Sequence, residues 1–281
     1  MHPVCLAAVI CLAVAAGLFL LWIFLLHPGR KRAQSAAFTN CNYAHRGLWG
    51  DGIAENSLSA FARAVEAGEG VELDVQLSRD GVAMVFHDDL LERVCGVPGR
   101  VRDYTAEELG KLSLSGTQDG VPTFAQVLHT INGQVPVLME IKAEHDCDAT
   151  CREALAVLQS YTGPLCMESF NPLAVRYFAR HRKDMVRGLL VGRFFADKAY
   201  RKPLYYLLWG MVMNAFCHPD FLALDLRYAH DLPFVLCRRI YRVPCLYWTV
   251  RTDEVARDAE ALGGRSIYEH CRPETERRKG Q

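Results

Sequence analysis

The sequence has no excess of charge of either sign, because 32 Lys and Arg residues balance 32 Asp and Glu residues. It also has no basic stripe with interleaved aromatic residues, so we expect no nucleic-acid partner. Internal repeats and low-complexity tracts are absent, which argues against a repeat protein. What remains is a chain of 281 residues, 51% hydrophobic, long enough for one large α/β domain.

The eleven cysteines form no disulfide framework. Two lie in the first apolar segment, and the other nine are scattered without regular spacing. A domain of this size has enough core to do without disulfides. Cys147 and Cys151 have no second pair at zinc-binding spacing, so we predict that they lie in a loop.

The first apolar segment is long enough to cross a bilayer. Residues 3–26 contain no charged side chain, and as a helix they would extend roughly 36 Å, against about 30 Å of hydrocarbon. A cleaved signal peptide has its positive charge before the apolar run. Here the charge follows, as Arg30, Lys31 and Arg32. We therefore predict an uncleaved, single-pass anchor in the cell membrane.

These features divide the chain into a transmembrane anchor (1–28), a polar linker (29–39) and a catalytic domain (40–275). The basic residues after the anchor favour a cytoplasmic catalytic domain. The opposite orientation remains open.

Strand-like and helix-like segments alternate over the rest of the chain. Eight predicted strands, most of them followed by a helical pattern, indicate a (β/α)₈ TIM barrel. The predicted strands are 42–44, 71–74, 135–141, 165–167, 186–191, 221–224, 245–250 and 266–268.

An additional hairpin follows the second strand. Asp80-Gly81 predicts a two-residue type I′ turn between two alternating segments. Folding about this turn places His87 opposite Asp74, and Glu72 shares that face because it is two residues away. A core gains nothing from buried charges. Two carboxylates and an imidazole at a strand end therefore indicate a metal site beside an acid/base group.

More polar residues lie where predicted strands end. His45 and Arg46 follow the first strand, and Glu140 and Lys142 end the third. Trp248 lies near the end of the seventh strand, where it is either core or an aromatic wall against substrate. Since TIM barrels place their chemistry at the carboxyl ends of strands, we expect the active site there.

Two segments do not fit the barrel pattern. Residues 88–130 are predicted to form a compact insertion. Residues 203–217 are apolar nearly all round but too short for a comfortable span. They form either a buried barrel helix or a helix that rests on the bilayer beside the anchor. The second alternative would suit a lysophospholipid substrate.

In order and spacing, these motifs resemble the glycerophosphodiester phosphodiesterase family of the PLC-like phosphodiesterase superfamily, and in particular membrane-anchored bacterial-type members. The resemblance covers about residues 42–270. The matching segments are His45-Arg46-Gly47, Glu55-Asn56-Ser57, Glu72-Leu73-Asp74, Ser78-Arg79-Asp80-Gly81, Val85-Phe86-His87-Asp88, Met139-Glu140-Ile141-Lys142, Ser169-Phe170 and Trp248-Thr249-Val250.

The resemblance implies an enzyme that hydrolyses glycerophosphodiesters to glycerol 3-phosphate and an alcohol, using one divalent metal ion. The implied roles are catalysis for His45 and His87, metal binding for Glu72, Asp74 and Glu140, and phosphate contact for Arg46 and Lys142. Glu55 is either a further acid near the site or only a helix-start carboxylate. Oxygen donors without cysteine favour Mg²⁺ or Ca²⁺ over zinc.

The implied mechanism is attack by the neighbouring glycerol hydroxyl, giving a cyclic phosphate that water opens. The sequence leaves open which histidine acts first; we take His45 as the base and His87 as the acid. The sequence departs from the family's usual motifs at two places. Arg251 replaces the Asn that usually ends Trp-Thr-Val-Asn, and Tyr268-Glu269-His270 replaces the usual Thr-Asp after the last strand. We expect both changes to shape the pocket rim.

The sequence leaves two alternative functions. One is lysophospholipase D-like hydrolysis of membrane lysophospholipids. The other is a non-catalytic binding barrel, which we disfavour because every motif residue is present. Sequence leaves the oligomeric state unknown.

Overall fold

Eight parallel strands form a closed barrel in the computed structural model, which describes residues 3–29, 31–143, 145–198 and 201–273. The strands are β1 Tyr43–Ala44, β2 Gly70–Leu77, β3 Ala83–Val85, β4 Val137–Ile141, β5 Leu165–Ser169, β6 Arg187–Val191, β7 Phe221–Asp225, β8 Cys245–Val250 and β9 Arg265–Tyr268. The ring closes because β1 pairs with both β2 and β9. Only β3 is antiparallel, on β2. The predicted TIM barrel is confirmed.

Helices surround the barrel, and side-chain caps define where many of them begin. Ser57 Oγ, for example, accepts a hydrogen bond from the Ala60 backbone N–H (3.1 Å). The helices are α1 Pro3–Leu25, α2 Arg32–Thr39, α3 Leu58–Glu66, α4 Glu92–Cys95, α5 Ala106–Gly110, α6 Phe124–Ile131, α7 Cys147–Val157, α8 Pro172–His181, α9 Pro203–Trp209, α10 Asn214–Cys217, α11 Leu232–Arg239 and α12 Asp253–Ala261.

Alternation along the strands creates two different layers inside the barrel. Odd-numbered residues of β2 and β4, such as Leu73 and Met139, pack outward against the helices. The residues that point into the barrel near the amino end of a strand, such as Leu138 in β4, are apolar. Glu140 is one pleat further along the same strand, so the carboxylates lie above an apolar floor at the carboxyl end.

The hairpin after β2 has a different turn from the one predicted. Ser78 N–H donates to the Val82 carbonyl (3.0 Å), so the loop has three residues and Gly81 adopts a positive φ of 80°. The register therefore shifts by one, and Phe86 rather than His87 bonds opposite Asp74. The predicted two-residue turn was wrong.

Three other segments differ from expectation. The insertion after β3 has its own small core, around Leu91, Val101 and Leu114, but it ends before α6, which belongs to the barrel layer. Cys147 begins helix α7 instead of lying in a loop, because Asp146 caps the Ala149 N–H. The segment 29–39, predicted as a polar linker, contains α2. The domain boundaries stay predictions, and residues 274 and 275 lie outside the described part of the chain.

Helix α1 is long and apolar enough to cross a membrane, and its residues 4–25 are unburied. The segment 203–217 forms two short helices, α9 and α10, in place of one. Leu208 of α9 is buried, but Leu204 and Leu207 face outward. A fully buried barrel helix, the first of the two alternatives for this segment, is therefore wrong for α9.

Candidate active site

The turn after β1 directs His45 and Arg46 into the mouth of the barrel. Arg46 has a positive φ of 61°, and the following Gly47 has a φ of 81°. A Cβ at Gly47 would lie 2.9 Å from the Ala60 side chain, so only glycine fits there. The Arg46 backbone N–H donates to Glu72 Oε2 (2.9 Å), which fixes the turn against β2.

A row of acids crosses three neighbouring strands at the same level. Asp74, Glu140 and Glu168 are paired in register on β2, β4 and β5. Glu72 lies one pleat below Asp74. Oxygen atoms of Glu72, Asp74 and Glu140 all lie within 4.8 Å of one another, and all three residues are buried. The structure thus brings together the three predicted metal ligands.

Lys142 lies among these acids. Its Nζ is 2.7 Å from Glu140 Oε1 and 3.0 Å from Asp74 Oδ1. Burial acts to lower the pKa of Lys142, but the adjacent carboxylates Asp74 and Glu140 outweigh it and raise that pKa. The expected phosphate-contacting lysine is therefore paired with the candidate metal ligands.

The acids respond differently to the same environment. Burial raises the pKa of Glu72 well above its usual value, and Asp74 adds to the effect. Burial also acts to raise the pKa of Asp74, but Lys142 and other cations outweigh it and lower that pKa. Asn56 Nδ2 donates to Asp74 Oδ2 (2.8 Å) and holds this carboxylate in place. Asp74 is thus the acid most strongly kept ionised.

His45 is oriented by the carboxylate of Glu269, which follows β9, the strand that closes the barrel against β1. Its Nδ1–H donates to Glu269 Oε2 (3.0 Å), since a carboxylate can only accept. Nε2 is then left as an acceptor, 3.9 Å from Glu72 Oε2. Burial lowers the pKa of His45 despite the opposing effect of Glu269. The lowered pKa favours the neutral imidazole, whose Nε2 can accept a proton.

His87 has a similar arrangement. Its Nδ1–H donates to Asp88 Oδ1 (2.6 Å). Gln76 Nε2 donates to the carbonyls of Phe86 and Asp88, both at 2.8 Å, and so fixes the backbone on either side of His87. Both imidazoles therefore have one nitrogen held by a carboxylate.

Glu55 is linked to the acidic cluster through Arg46, whose Nε lies 3.7 Å from Asp74 Oδ2. It accepts from Arg46 Nη1 (2.7 Å) and from Arg93 Nη2 (2.6 Å), and it is largely buried. Burial acts to raise the pKa of Glu55, but the two arginines lower it overall. Glu55 therefore ties the turn after β1 to the insertion.

Both histidines and part of the acidic cluster line one cavity of about 110 Å³. Its opposite wall is aromatic: Trp248 and Phe170 make an edge contact with ring centroids 5.6 Å apart. Trp248 Nε1 donates to the Ala223 carbonyl (3.0 Å), so the indole is fixed at the cavity wall and not hidden in the core. The polar lining consists of His45, Arg46, Glu72, His87, Glu140 and Glu168.

Residues 45–268 match the model of the glycerophosphoryl diester phosphodiesterase family. The chain belongs to this family. A glycerophosphodiester phosphodiesterase of Caldanaerobacter subterraneus is 39% identical over 109 residues, which are 36% of this chain and 44% of that protein. Human lysophospholipase D is 30% identical over 146 residues, 47% of this chain and 45% of that protein. The matched stretches span less than half of each of these two relatives.

The fold of this family member is also found in solved structures. A phosphodiesterase of Oleispira antarctica, in complex with the product sn-glycerol-3-phosphate, has a TM-score of 0.69 and 23% sequence identity. The match covers 84% of this chain and 94% of that one. This likeness shows a shared fold.

The donor set of this phosphodiesterase family member fits a hard divalent cation. Four buried acids, Glu72, Asp74, Glu140 and Glu168, face two largely buried cations, Arg46 and Lys142. Burial raises the pKa of Glu72, Glu140 and Glu168, and a divalent cation beside them would stabilise their ionised forms. Oxygen donors alone are the set that Mg²⁺ or Ca²⁺ prefers.

Three residues that position the site were missed or misjudged from sequence. Glu168 follows the point where its strand was predicted to end, and its Oε2 has no hydrogen-bond partner within the described residues. Asp88 belongs to a family motif but has no role predicted from sequence, whereas in the structure it holds His87. Glu269 was expected at the pocket rim, but it holds His45. The alternation of inward and outward side chains along β5 is the sequence signal that would have placed Glu168 inside the barrel.

Proposed function

We propose that this protein hydrolyses glycerophosphodiesters to glycerol 3-phosphate and an alcohol. The single observation that supports it best is the cavity itself. Two imidazoles, each held by a carboxylate, line one pocket together with acids suited to a divalent cation. Membership of the phosphodiesterase family supports this substrate class.

In this proposal Glu72, Asp74 and Glu140 hold one Mg²⁺ or Ca²⁺ ion. When bound, the ion neutralises charge on the phosphoryl oxygens and polarises phosphorus. Arg46 pairs with a further phosphoryl oxygen, because its guanidinium lines the cavity. Lys142 keeps Asp74 ionised and adds positive charge beside the phosphate. Trp248 forms the wall against glycerol, and Glu55 fixes Arg46.

His45 acts as the base. Its Nε2 takes the proton of the glycerol hydroxyl next to the phosphate, and that oxygen attacks phosphorus. The bond to the alcohol oxygen breaks, and His87 gives its proton to this leaving oxygen. Water then opens the cyclic phosphate with the two histidines in reversed roles. The lowered pKa of His45, caused by burial, supports its assignment as the base.

We also infer that α1 anchors the protein in the cell membrane as a single span, with the barrel in the cytoplasm. Alkaline extraction of membranes from expressing cells should leave the full-length chain in the pellet, and protease should reach the barrel only after lysis. Recovery of a shortened chain in the soluble fraction would instead identify α1 as a cleaved signal sequence.

The central test is glycerol 3-phosphate release by the purified full-length chain from several glycerophosphodiesters, with and without a chelator. We expect release that the chelator abolishes and that Mg²⁺ or Ca²⁺ restores. Release that persists in the chelator would contradict the metal site. No release from any substrate, by a folded protein with metal present, would contradict the activity.

A further inference from the structure

Helix α9 exposes a continuous apolar surface. Leu204, Tyr206 and Leu207 are 56%, 46% and 50% exposed, respectively, while Leu208 turns inward. Isolated exposed leucines are ordinary in a soluble protein, but three large apolar side chains on one short helix form a patch. Such a patch suits an apolar partner.

Basic residues lie on the approach to this patch. Lys198, Arg201 and Lys202 are all exposed and precede α9. Apolar side chains flanked by lysine and arginine are typical of helices that lie in the interface of an anionic bilayer. The charge pattern therefore favours a lipid surface over a second protein as the partner.

Helix α1 is attached next to this patch. Trp22 Nε1 donates to the carbonyl of Gly210, which directly follows α9 (2.8 Å). Asn214 Nδ2 donates to the Leu26 carbonyl (3.0 Å). Leu26 thus contacts Asn214, close to the start of β7, whereas Trp22, one turn earlier in α1, contacts Gly210 at the end of α9. Tyr241, which follows α11, donates its hydroxyl to the Ile23 carbonyl (2.6 Å), so the last turn of α1 lies against the end of α9 and the end of α11.

A row of aromatic rings connects the catalytic cavity with α9. The centroids of Trp248 and Phe170 are 5.6 Å apart, those of Phe170 and Phe194 are 5.3 Å apart, and those of Phe194 and Tyr205 are 5.8 Å apart. Trp248 and Phe170 line the cavity, and Tyr205 belongs to α9. This aromatic row offers apolar contacts all the way from the reacting phosphate to the exposed patch.

We propose that α9 lies in the bilayer interface beside α1, and that the aromatic row receives the acyl chain of a single-chain glycerophospholipid. The head group of that lipid occupies the catalytic cavity, and the same phosphodiester bond is hydrolysed. The proposal rests on the proposed function and specifies its substrate class. It also explains why the anchor is hydrogen-bonded to the barrel on the side of α9.

The test uses the full-length chain reconstituted in vesicles of phosphatidylcholine and phosphatidylglycerol. Two substrates are compared: lysophosphatidylcholine in the bilayer and glycerophosphocholine in water. The double variant Leu204→Glu/Leu207→Glu places charge on the patch, which opposes insertion into the interface. We expect kcat/KM for lysophosphatidylcholine to fall about tenfold or more, while that for glycerophosphocholine stays unchanged.

Ala156→Glu is the matched control. Ala156 is exposed on α7, which connects β4 with β5, whereas α9 lies between β6 and β7. We expect no change with either substrate. A second variant, Phe194→Leu, interrupts the aromatic row but keeps an apolar side chain. It should weaken the dependence of the rate on acyl-chain length without affecting glycerophosphocholine.

Equal losses on both substrates, or no loss on either, would overturn the proposal. A wild-type protein that hydrolyses glycerophosphocholine but not lysophosphatidylcholine would overturn it as well and leave the proposed function standing. Hydrolysis of neither substrate would refute the proposed function, and this proposal with it.

Discussion

The two walls of the catalytic cavity are built in different ways. On the charged wall, Glu72, Asp74 and Glu140 come from adjacent strands, and ion pairs and hydrogen bonds hold them. On the aromatic wall, Phe170 follows β5 and Trp248 lies in β8; their rings pack edge to face, and one hydrogen bond, from Trp248 Nε1 to the Ala223 carbonyl, adds to the packing. Directional contacts fix atoms closely, whereas packing tolerates exchange of one apolar group for another.

This difference separates the expected effects of mutation. Changes at the charged wall and its histidines should lower turnover, because they remove groups that act on the reacting atoms. Changes at the aromatic wall should mainly raise KM, because they remove contacts made equally before and during the reaction.

The largest effect is expected for the histidines. His45→Ala and His87→Ala should each lower kcat for glycerol 3-phosphate release by about 100-fold or more, the usual contribution of general acid–base catalysis. His181→Ala, an exposed histidine on α8, is the control and should keep full activity. Near-normal rates in a folded His45 or His87 variant would remove the assignment of that residue.

Glu269→Gln should have an intermediate effect, about tenfold on kcat, because an amide still accepts from His45 but no longer stabilises its charged form. Glu269 acts to raise the pKa of His45. Its loss should lower that pKa further, so the acidic limb of the pH–rate profile should move to lower pH.

Glu260→Gln, on the exposed face of α12, is the matched control for this measurement. An unshifted acidic limb in Glu269→Gln would show that Glu269 does not act through His45. Partial recovery of kcat in Glu269→Asp would support a positioning role.

Trp248→Leu tests the aromatic wall. We expect KM for glycerophosphocholine to rise by about fivefold with little change in kcat, since the loss of a ring contact weakens binding uniformly. Steady-state kinetics over a range of substrate concentrations separates the two constants. A loss confined to kcat would place Trp248 with the catalytic groups and remove the contrast between the walls.

The smallest effect concerns stability. Burial raises the pKa of Glu168 well above its usual value, and Glu140 adds to it. In the unfolded chain Glu168 ionises in the ordinary glutamate range, so its burial costs more stability as the pH rises above that range. Glu168→Gln should therefore raise the Tm of chelator-treated protein, by about 3 °C near neutral pH.

The gain from Glu168→Gln should shrink as the pH falls toward the ordinary glutamate range. Glu254→Gln, an exposed substitution on α12, should leave the Tm unchanged at every pH. A gain that does not depend on pH would contradict the electrostatic explanation.

Local sequence patterns predicted the barrel strands and the charged wall because strand alternation is a short-range property. Glu72 and Asp74 share a face for this reason alone. The hairpin register was off by one, because the Ser78 hydroxyl accepts from the Val82 N–H and stabilises a longer turn. His87 still reaches the cavity, because it lies beyond the paired part of β3.

Contacts between distant residues were harder to predict. Glu269 meets His45 across the seam where the last strand closes on the first, 224 residues away. The aromatic row joins β8 to the loops after β5 and β6. Neither contact has a local pattern, since ring closure and loop packing bring these residues together only in the folded barrel.

The short stretch between α1 and α2 restricts where a water-soluble catalytic fragment can begin. The Gly29 N–H donates to the Pro219 carbonyl (2.7 Å), and the Lys31 N–H donates to Asp220 Oδ1 (3.1 Å). Truncation after these residues would remove the Lys31 N–H from the fully buried Asp220 just before β7 and leave that carboxylate to its contacts with Arg187 on β6. Gly29 and Lys31 thus belong structurally to the barrel domain, and a fragment that lacks them should express poorly for reasons unrelated to lipid.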